Sequence, residues 1–258
     1  HHAHAQGVDL LVFPELCVTR YTAGDLFYQE PLLRGAKDAL QTLLRQTADT
    51  KTVCVVGLPL QHDGGLYNCA AVIQGGRVLG VVPKTHLPNY SEFYEQRHFS
   101  PAPAGLSEIT LGEEAVPFGT TLLFQSEEQP DFCFAVEICE DLWVPAPPSI
   151  RHTQAGALLI ANLSASNETI GKPQYRRELV TGQSARLLCG YLYADAGDGE
   201  STTDMVFSGH SLIAENGRLL AETVPFENAV CVTEIDVQML ARERMGVNTY
   251  TAGGCSEY

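Results

Sequence analysis

The stretch FAVEICEDLW, Phe134 to Trp143, is an apolar run that ends at a cysteine surrounded by carboxylic acids. Glu137 precedes Cys139, and Glu140 and Asp141 follow it. The thiolate is the nucleophilic form of cysteine, and nearby carboxylates raise the pKa of a thiol and so disfavour that form. Cys139 is therefore either chemically inert or activated by a group elsewhere in the chain.

Apolar runs like the one before Cys139 recur along the whole chain. Their short length and their content of β-branched residues favour buried strands over helices. Strands of this kind need a covering layer on each face, provided by helices or by a second sheet. The predicted strands are Val8–Phe13, Val53–Leu58, Ala70–Ile73, Val78–Val82, Phe132–Ile138, Ala157–Ala161, Leu188–Ala194, His210–Ile213 and Ala229–Ile235.

Longer segments and turn residues complete the secondary-structure prediction. Apolar residues at helical spacing predict helices over Pro31–Ala48 and Tyr175–Leu188. Gly75-Gly76 and Asn216-Gly217 each lie between two apolar runs and predict tight β-hairpins. Ser100–Phe118, rich in Pro, Ala and Gly, predicts an irregular excursion. The mixture of strands, helices and hairpins predicts an α/β fold built as a layered sandwich.

The composition favours small-molecule chemistry or a protein partner over nucleic acid and membrane surfaces. The 258 residues, 45% of them hydrophobic, are enough for one domain with a substantial core. The 16 basic residues are outnumbered by 31 acidic ones, which gives a net charge of −15 at pH 7. Such a surface repels phosphate backbones and anionic lipids. No apolar run approaches the roughly 18 residues of a membrane span.

The placement of cysteine and histidine argues against disulfides and metal sites. The 8 cysteines are scattered without a C-x-x-C pair, which in a chain of this length is typical of reduced thiols in the cytoplasm. His1, His2 and His4 resemble metal ligands, but a tag remnant or the exposed end of a helix explains them without a metal. We therefore expect a cytoplasmic protein with no metal site.

Three polar residues directly follow predicted strands, where active sites of α/β folds tend to lie. Glu15 follows LLVFP, Lys84 follows LGVVP and Cys139 follows FAVEI. Each alone has an ordinary explanation, as a solvated strand end, a surface cation or a buried small apolar group. Together they form a complete catalytic set: the carboxylate can take the thiol proton and return it to a leaving amine, while the lysine stabilises an oxyanion with the backbone N–H of Glu140.

The sequence around these three residues resembles the nitrilase, or carbon-nitrogen hydrolase, superfamily. LLVFPEL (Leu10–Leu16), VVPKTHLP (Val81–Pro88) and VEICEDLW (Val136–Trp143) are similar to the family's Glu, Lys and Cys motifs and occur in the same order. The resemblance implies a four-layer αββα sandwich of the nitrilase type, with Glu15, Lys84 and Cys139 as the catalytic residues. It also implies that a second copy packs against the first, so we expect a homo-oligomer.

Further segments are similar to the amino-terminal glutaminase domain of glutamine-dependent NAD synthetases. The resemblance implies that Glu15 is general base and then general acid, that Cys139 forms a glutamyl thioester and releases ammonia, and that Lys84 polarises the amide carbonyl. The segments are FPELCVTRYTAGDLF, PKTHLPNYSEFYEQRHF, ICEDLW, NLSASNETIGK and GDGESTTDMVFSGHSLI.

The same resemblance identifies candidate contacts with the substrate glutamine. The positions that match the family's contacts are Tyr90, Glu140 and Ser166, and Tyr21 is a further candidate near the pocket. Each of the first three has a plainer alternative. The tyrosine could pack against its neighbours, the glutamate could be an exposed loop acid, and the serine could cap a helix.

Other charged residues near these motifs have ordinary interpretations. Arg176, Arg177 and Glu178 predict a charged helix face or an interface with another subunit. Glu137 lies on the same strand face as Cys139 and is expected to support it from behind.

The resemblance covers nearly the whole chain and sets the domain prediction. Residues 1–247 are expected to form the nitrilase-like glutaminase domain, and 248–258 a tail or the start of a linker to a synthetase domain. The ATP-binding SGGxDS signature of that second domain does not occur, since AGGCSEY at Ala252–Tyr258 lacks it. The family's first strand is also missing before His1, so we expect a short sheet edge or a truncated chain.

The predicted function is hydrolysis of glutamine that supplies ammonia to a synthetase domain in cis. No cofactor is expected for this part, because ATP and Mg²⁺ would serve only the synthetase domain. A stand-alone amidase or nitrilase of the same superfamily is one alternative. A catalytically silent scaffold, which uses the fold for assembly, is another.

Overall fold

Two six-stranded sheets packed face to face form the centre of the molecule. The computed structural model describes residues 1–250. The predicted domain of residues 1–247 lies within this range, and the last regular element ends at Gly246. Most of the predicted tail, 251–258, lies outside the described residues. The division of the chain at residue 247 stays a prediction.

The first sheet joins a parallel edge strand to a series of antiparallel strands. It consists of β1 (Leu10–Val12), β2 (Val53–His62), β3 (Gly65–Gln74), β4 (Arg77–Pro83), β5 (Ser107–Leu111) and β6 (Glu114–Phe118). The order across the sheet is β1-β2-β3-β4-β6-β5, with β1 parallel to β2 and β4 parallel to β6. Gly75 and Gly76 both have positive φ and form the predicted β3–β4 hairpin turn.

The second sheet carries three central parallel strands. It consists of β7 (Phe124–Gln125), β8 (Cys133–Ile138), β9 (Leu159–Ser164), β10 (Gly190–Asp195), β11 (Leu212–Glu215) and β12 (Arg218–Glu222). The order is β12-β11-β10-β9-β8-β7, and β8, β9 and β10 run parallel. Their carboxyl ends therefore meet at one edge of the sheet. Asn216 and Gly217, both at positive φ, form the predicted β11–β12 turn.

Helix α2 (Glu30–Gln46) covers the outer face of the first sheet, and helix α5 (Lys172–Leu187) covers the outer face of the second. Both coincide with the predicted helices to within three residues at each end. The helices are α1 (His2–Ala5), α2 (Glu30–Gln46), α3 (Glu95–His98), α4 (Pro148–Gln154), α5 (Lys172–Leu187) and α6 (Val237–Gly246), and 3₁₀ segments span Tyr21–Tyr28 and Cys139–Leu142.

The buried residues fall into layers that follow this arrangement. Leu40 of α2 packs on the outer face of the first sheet, and Val180 of α5 packs on the outer face of the second. Between the sheets, Val72 of β3 and Val136 of β8 belong to one apolar cluster. Each fully buried side chain of this size contributes about 1.5–3 kcal/mol. The predicted four-layer αββα sandwich is confirmed.

Eight of the nine predicted strands coincide with observed strands, with ends displaced by a few residues. The prediction for Ala229–Ile235 is wrong, because residues 228–236 have no regular structure and Val230 is 77% exposed. β-branched residues favour a strand only where the backbone finds a partner strand. Here the chain instead leads into α6, whose Val237 and Leu240 are buried in the core between the sheets.

The prediction that Ser100–Phe118 is irregular is wrong in its second half. Residues 107–118 form the β5–β6 hairpin at the edge of the first sheet. Ile109 and Val116 face each other across it and are buried. β5 is the edge strand, and β6, which carries Pro117, is in register with β4 at a single pair, Val81 with Phe118.

Candidate active site

Glu15 occupies the turn after β1 and is 1% exposed. Its backbone N–H donates to the carbonyl of Ser164 on the second sheet, at 3.3 Å. A Cβ atom at Gly57 of β2 would lie 2.4 Å from the backbone nitrogen of Leu16, so glycine is what allows this turn to approach the sheet. The local sequence thus buries a carboxylate between the two sheets.

Lys84 directly follows β4, and its ammonium is held between two buried carboxylates. Nζ lies 2.6 Å from Oε1 of Glu15 and 2.6 Å from Oε1 of Glu95, with the lysine side chain fully buried. Burial alone lowers the pKa of Lys84, but the charges of Glu15 and Glu95 outweigh it and raise that pKa well above its usual value. The Lys84 side chain therefore keeps its proton between the two carboxylates. We call these three buried side chains, Glu15, Lys84 and Glu95, the floor of the site.

Cys139 follows β8 and opens the 3₁₀ segment with a backbone φ of +48°. A non-glycine residue in this left-handed region is strained, and such strain is common where a side chain is presented for chemistry. The N–H of Cys139 donates to Oδ1 of Asn162 at 3.3 Å, which helps to hold the turn.

The state of the thiol answers the question that its acidic neighbours raise. Burial and the charge of Glu15 raise the pKa of the Cys139 thiol well above its usual value, although Lys84 acts in the opposite direction. The resting group is therefore a thiol that needs a base. Oε2 of Glu15 is buried and, among the described residues, has no hydrogen-bond partner, so this oxygen is free to accept the proton.

Glu95 is a buried partner of Lys84 that the sequence analysis did not single out. It lies at the start of α3, is 4% exposed, and accepts hydrogen bonds from Lys84 and from the Tyr21 hydroxyl at 2.9 Å. Burial raises the pKa of Glu95 to about 7, against the opposing effect of Lys84. The segment NYSEFYEQRHF contains it, but nothing in the pattern distinguishes it from Glu92.

A cavity of about 520 Å³ is lined by Cys139. Three of the predicted substrate contacts, Tyr90, Glu140 and Ser166, also line it. The Tyr90 hydroxyl donates to Oε1 of Glu140 at 2.9 Å. Burial, followed by this hydrogen bond, raises the pKa of Tyr90 to about 12, and burial also raises the pKa of Glu140. Cys139 thus shares this pocket with the three candidates, while Glu15 and Lys84 do not line it but act on the Cys139 thiol through their charges.

A family profile described as "Carbon-nitrogen hydrolase" matches residues 1–244. The chain belongs to the carbon-nitrogen hydrolase family. Among curated relatives, the glutamine-dependent NAD(+) synthetase of Mycobacterium tuberculosis is 47% identical over 249 residues, which cover 96% of this chain and 37% of that protein. The corresponding protein of Thermotoga maritima is 32% identical and is matched over 91% of this chain and 37% of its own length. The chain thus spans about 37% of the length of these relatives.

Solved structures support the same family assignment. The crystal structure of a glutamine-dependent NAD(+) synthetase from Cytophaga hutchinsonii matches 86% of this chain and 35% of its own, with a TM-score of 0.76 and 32% identity. Nit3 of Saccharomyces cerevisiae, a nitrilase-superfamily member, matches 96% of this chain and 84% of its own with a TM-score of 0.70. At 20% identity, Nit3 bears on the fold alone.

Tyr21 has a different place in this carbon-nitrogen hydrolase from the other predicted contacts. It is 9% exposed and is not among the residues that line the described pocket. Its hydroxyl donates to Glu95, and its backbone N–H donates to Oε1 of Glu200 at 3.0 Å. Tyr21 therefore contacts Glu95, the carboxylate that also accepts a hydrogen bond from Lys84.

Lys172 is a pocket residue that the sequence analysis missed. It opens α5 and lines the cavity together with Trp143 and Phe93, whose rings lie 5.2 and 5.9 Å from its Nζ. Nζ also donates to Oδ1 of Asn167. Burial lowers the pKa of Lys172. NLSASNETIGK ends at this lysine, but a helix N-terminus is an unusual place for a cation, and the pattern offers no hint of its role.

The prediction of a charged helix face at Arg176 is wrong. Its side chain is fully buried and donates to Ser166 Oγ at 3.3 Å and to Glu168 Oε2 at 3.3 Å. Arg177 does face outward, where its Nε lies 2.6 Å from Oε2 of Glu222. A guanidinium can be buried when several acceptors surround it, and Arg176 thereby supports the pocket wall at Ser166.

Glu137 supports the nucleophile only through intermediates. One carboxylate oxygen accepts the backbone N–H of Ser149 at 2.8 Å, and the other accepts the hydroxyl of Tyr191. That hydroxyl in turn accepts from Asn162, the residue that holds the backbone of Cys139. Burial raises the pKa of Glu137 to about 7.

Residues 1–250 contain neither a metal-site cluster nor a membrane-spanning helix. No cluster of three or more histidine, cysteine, aspartate or glutamate side chains within that range has the arrangement of a metal site. Of the helices described there, none has both the length and the apolar character needed to cross a membrane.

Proposed function

We propose that this chain hydrolyses the side-chain amide of glutamine through a thioester on Cys139. We further propose that it supplies the ammonia to a glutamine-dependent NAD synthetase of which it forms the glutaminase part. The single observation that carries the proposal is the buried ammonium of Lys84, held 2.6 Å from the carboxylate of Glu15, with both charges acting on the thiol of Cys139, which lines the cavity. The resemblance to NAD synthetases supports the choice of glutamine.

The first half of the reaction forms the thioester. Glu15 takes the thiol proton through its free Oε2, and the sulfur attacks the amide carbon. The carbonyl oxygen becomes an oxyanion, which Lys84 stabilises together with the backbone N–H of Glu140. The carbon-nitrogen bond then breaks as Glu15 returns the proton to the leaving nitrogen, which departs as ammonia.

The second half releases the product. Glu15, again a carboxylate, takes a proton from water, and the resulting hydroxide attacks the thioester carbonyl. The bond between carbon and sulfur breaks, glutamate forms, and the proton returns to Cys139. Glu95 holds Lys84 from the side opposite Glu15, so the ammonium keeps a counter-charge while Glu15 is protonated.

The walls of the cavity offer charges that match an α-amino acid. Glu140 can bind the α-ammonium of glutamine, since charge-assisted hydrogen bonds are stronger than neutral ones. Lys172, which also lines the cavity, offers an ammonium for the α-carboxylate. Tyr90 and Ser166 supply hydroxyl groups beside these charges. A zwitterion would therefore be preferred over a simple amide.

The proposal also covers the cofactors, the synthetase domain in cis, the cytoplasmic location and the oligomeric state. Every step above uses side chains of this chain, so the glutaminase reaction is expected to need no cofactor, and ATP and Mg²⁺ would serve a synthetase domain in cis. The seven cysteines among the described residues are free thiols, which fits a cytoplasmic protein. We also expect a homo-oligomer, which sedimentation of the full-length protein would test.

The proposal is tested by labelling with a diazo-ketone analogue of glutamine, followed by intact mass and peptide mapping. We expect one adduct on Cys139, none in Cys139→Ala, and an unchanged adduct in the control Cys231→Ala, whose thiol is half-buried elsewhere. An unlabelled wild-type chain would favour a silent scaffold. Labelling that simple aliphatic amides prevent as well as glutamine does would favour a stand-alone amidase.

A test in the full-length synthetase separates the two activities. There, Cys139→Ala should abolish NAD synthesis from glutamine and leave synthesis from added ammonia intact, because the nucleophile serves only the first source. Glutamine-dependent synthesis that survives the substitution would end the proposal.

A further inference from the structure

The strands that lead to the catalytic lysine and to the nucleophile belong to different sheets, and one buried side chain joins their ends. Asp141, 2% exposed, lies in the 3₁₀ segment after β8. Its Oδ2 accepts the backbone N–H of Ile138 at 3.0 Å and that of Thr85 at 3.4 Å. Its Oδ1 accepts the backbone N–H of His86 at 2.8 Å.

The three amides that Asp141 binds lie next to the catalytic residues in the chain. Ile138 immediately precedes Cys139, and Thr85 and His86 immediately follow Lys84. A single carboxylate therefore sets the distance between the lysine segment and the nucleophile turn. The φ of +48° at Cys139 is a strained conformation that persists only when its surroundings hold it.

The imidazole of His86 completes the arrangement. Its Nδ1 lies 2.9 Å from Oδ1 of Asp141, and its side chain is 40% exposed. The hydrogen bond to Asp141 raises the pKa of His86, partial burial acts against it, and Glu140 and Glu137 add smaller effects in the same direction as Asp141. When protonated, His86 therefore holds the carboxylate from its solvent side with a charge-assisted contact.

We propose that Asp141 is a positioning residue that fixes Lys84 relative to Cys139 across the two sheets. The contact from His86 Nδ1 holds the Asp141 carboxylate in place. The inference deepens the proposed function, because it concerns the same reaction. Its physical basis is that the stabilisation of a thiolate or an oxyanion by a cation depends steeply on their separation in a site of low dielectric. Asp141 is not among the residues that line the described cavity.

Alkylation of Cys139 by iodoacetamide, followed by peptide mass against pH, tests this without glutamine. In Asp141→Asn one of the backbone amides faces an NH₂ group instead of an acceptor, so the lysine segment loosens. Because Lys84 favours the thiolate, the pH profile of alkylation should move upward by about one unit. At pH 7.5 the rate should fall about tenfold, which is the same shift expressed as a rate.

Two further variants complete the comparison. His86→Asn removes only the imidazole that contacts Asp141. The pH profile of Cys139 alkylation should therefore move upward by less than it does in Asp141→Asn. Asp236→Asn is the matched control: Asp236 caps α6, accepting the N–H of Met239 at 2.8 Å, and does not line the cavity, so its loss should leave the profile unchanged. With glutamine, Asp141→Asn should lower kcat and leave KM within about threefold.

The outcomes separate this inference from the proposed function. A folded Asp141→Asn chain with the wild-type profile would overturn the positioning role and leave Asp141 as an ordinary acceptor for buried amides. If Asp141→Asn does not fold, His86→Asn decides, and a wild-type profile there overturns the inference. A wild-type chain that never hydrolyses glutamine would sink the proposed function, while the alkylation comparison would stand.

Discussion

The floor of the site and the wall of the pocket differ in how they hold charge. The floor is the buried cluster of Lys84, Glu15 and Glu95, at most 4% exposed, in which Nζ of Lys84 lies 2.6 Å from each carboxylate. On the wall, Tyr90 is 55% exposed, and Glu140 and Lys172 are only partly buried. Coulombic interactions are several-fold stronger on the floor because water is excluded. Changes on the floor should therefore affect chemistry and folding, and changes on the wall should affect recognition.

The largest effect is expected from Cys139→Ala. Without the sulfur no thioester can form, so kcat for ammonia release should fall at least about 10⁴-fold. Glutamine affinity, measured by calorimetry, should change little because the wall is intact. Cys231→Ala is the control and should retain activity. Residual turnover of Cys139→Ala within a hundredfold of wild type would contradict the covalent route.

Lys84→Met should damage both activity and stability. Removing the cation leaves Glu15 and Glu95 buried without their partner, which costs about 3–5 kcal/mol in a buried ion pair. Urea denaturation measures this loss. In Lys84→Met/Glu95→Gln one of the two unpaired carboxylates is gone, so part of the stability should return while activity stays lost. Equal stability of the single and double variants would show that the two side chains are not coupled.

The raised pKa of Glu95 predicts how stability changes with pH. Folding raises this pKa from about 4.5 to about 7, so the folded state holds its proton more tightly than the unfolded state. Its contribution is complete below pH 4.5 and is lost as the pH rises toward 7. Glu95→Gln should therefore flatten the fall in unfolding free energy over this window, measured by urea denaturation at pH 5 and 7.5.

Other buried acids limit the size of that effect. Burial also raises the pKa of Glu137 and of Asp195 to about 7, so both contribute to the same fall. Glu95→Gln should remove only the part of the fall in unfolding free energy that Glu95 contributes. The exposed Glu128 offers a matched control, since Glu128→Gln should leave the slope unchanged. A slope in Glu95→Gln as steep as in wild type would mean that Glu95 is ionised throughout.

The smallest effects are expected on the wall. Lys172→Met should raise KM for glutamine about tenfold and leave kcat within about threefold, because a charged hydrogen bond is worth about 1.5–3 kcal/mol. The exposed Lys37→Met is the control. For a substrate that lacks the α-carboxylate, 4-aminobutanamide, the two lysine variants should be equal. A tenfold loss that persists with this substrate would show that Lys172 acts on something other than the carboxylate.

A matching experiment addresses Glu140. Glu140→Gln should raise KM for glutamine, and glutaramate, which lacks the α-ammonium, should not distinguish the variant from wild type. If instead kcat falls for both substrates, Glu140 belongs functionally to the floor, and the division between floor and wall would have to be redrawn.

The part of the site that could be predicted from the sequence is the part that directly follows strands. Glu15, Lys84 and Cys139 each come after an apolar run, and the ends of such runs meet at one region of the fold. Glu95 and Lys172 begin helices inside loop-rich segments, where no periodic pattern marks them. Arg176 has the spacing of a surface residue and is buried because Ser166, Glu168 and the backbone carbonyl of Asn167 converge on its guanidinium.

The strand predictions succeeded and failed for a related reason. β-branched runs became strands wherever a neighbouring strand could pair with them, and Ala229–Ile235 did not because the chain there passes directly into α6. The β5–β6 hairpin was missed because the glycines and prolines around it are also typical of loops. Strand propensity shows that a segment can adopt an extended conformation, and pairing with a neighbouring strand decides whether it forms a strand.

The sequence by itself determined the layered α/β architecture, the order of the glutamate, lysine and cysteine motifs, and hence the family. Hydrophobic periodicity and local turn chemistry depend on near neighbours, and both are legible along the chain. Tertiary structure alone decided that Lys84 has two carboxylate partners, that the Cys139 thiol rests protonated, and that Asp141 joins the two sheets. These properties depend on distances and burial between segments remote in sequence, and both arise only when the sheets pack.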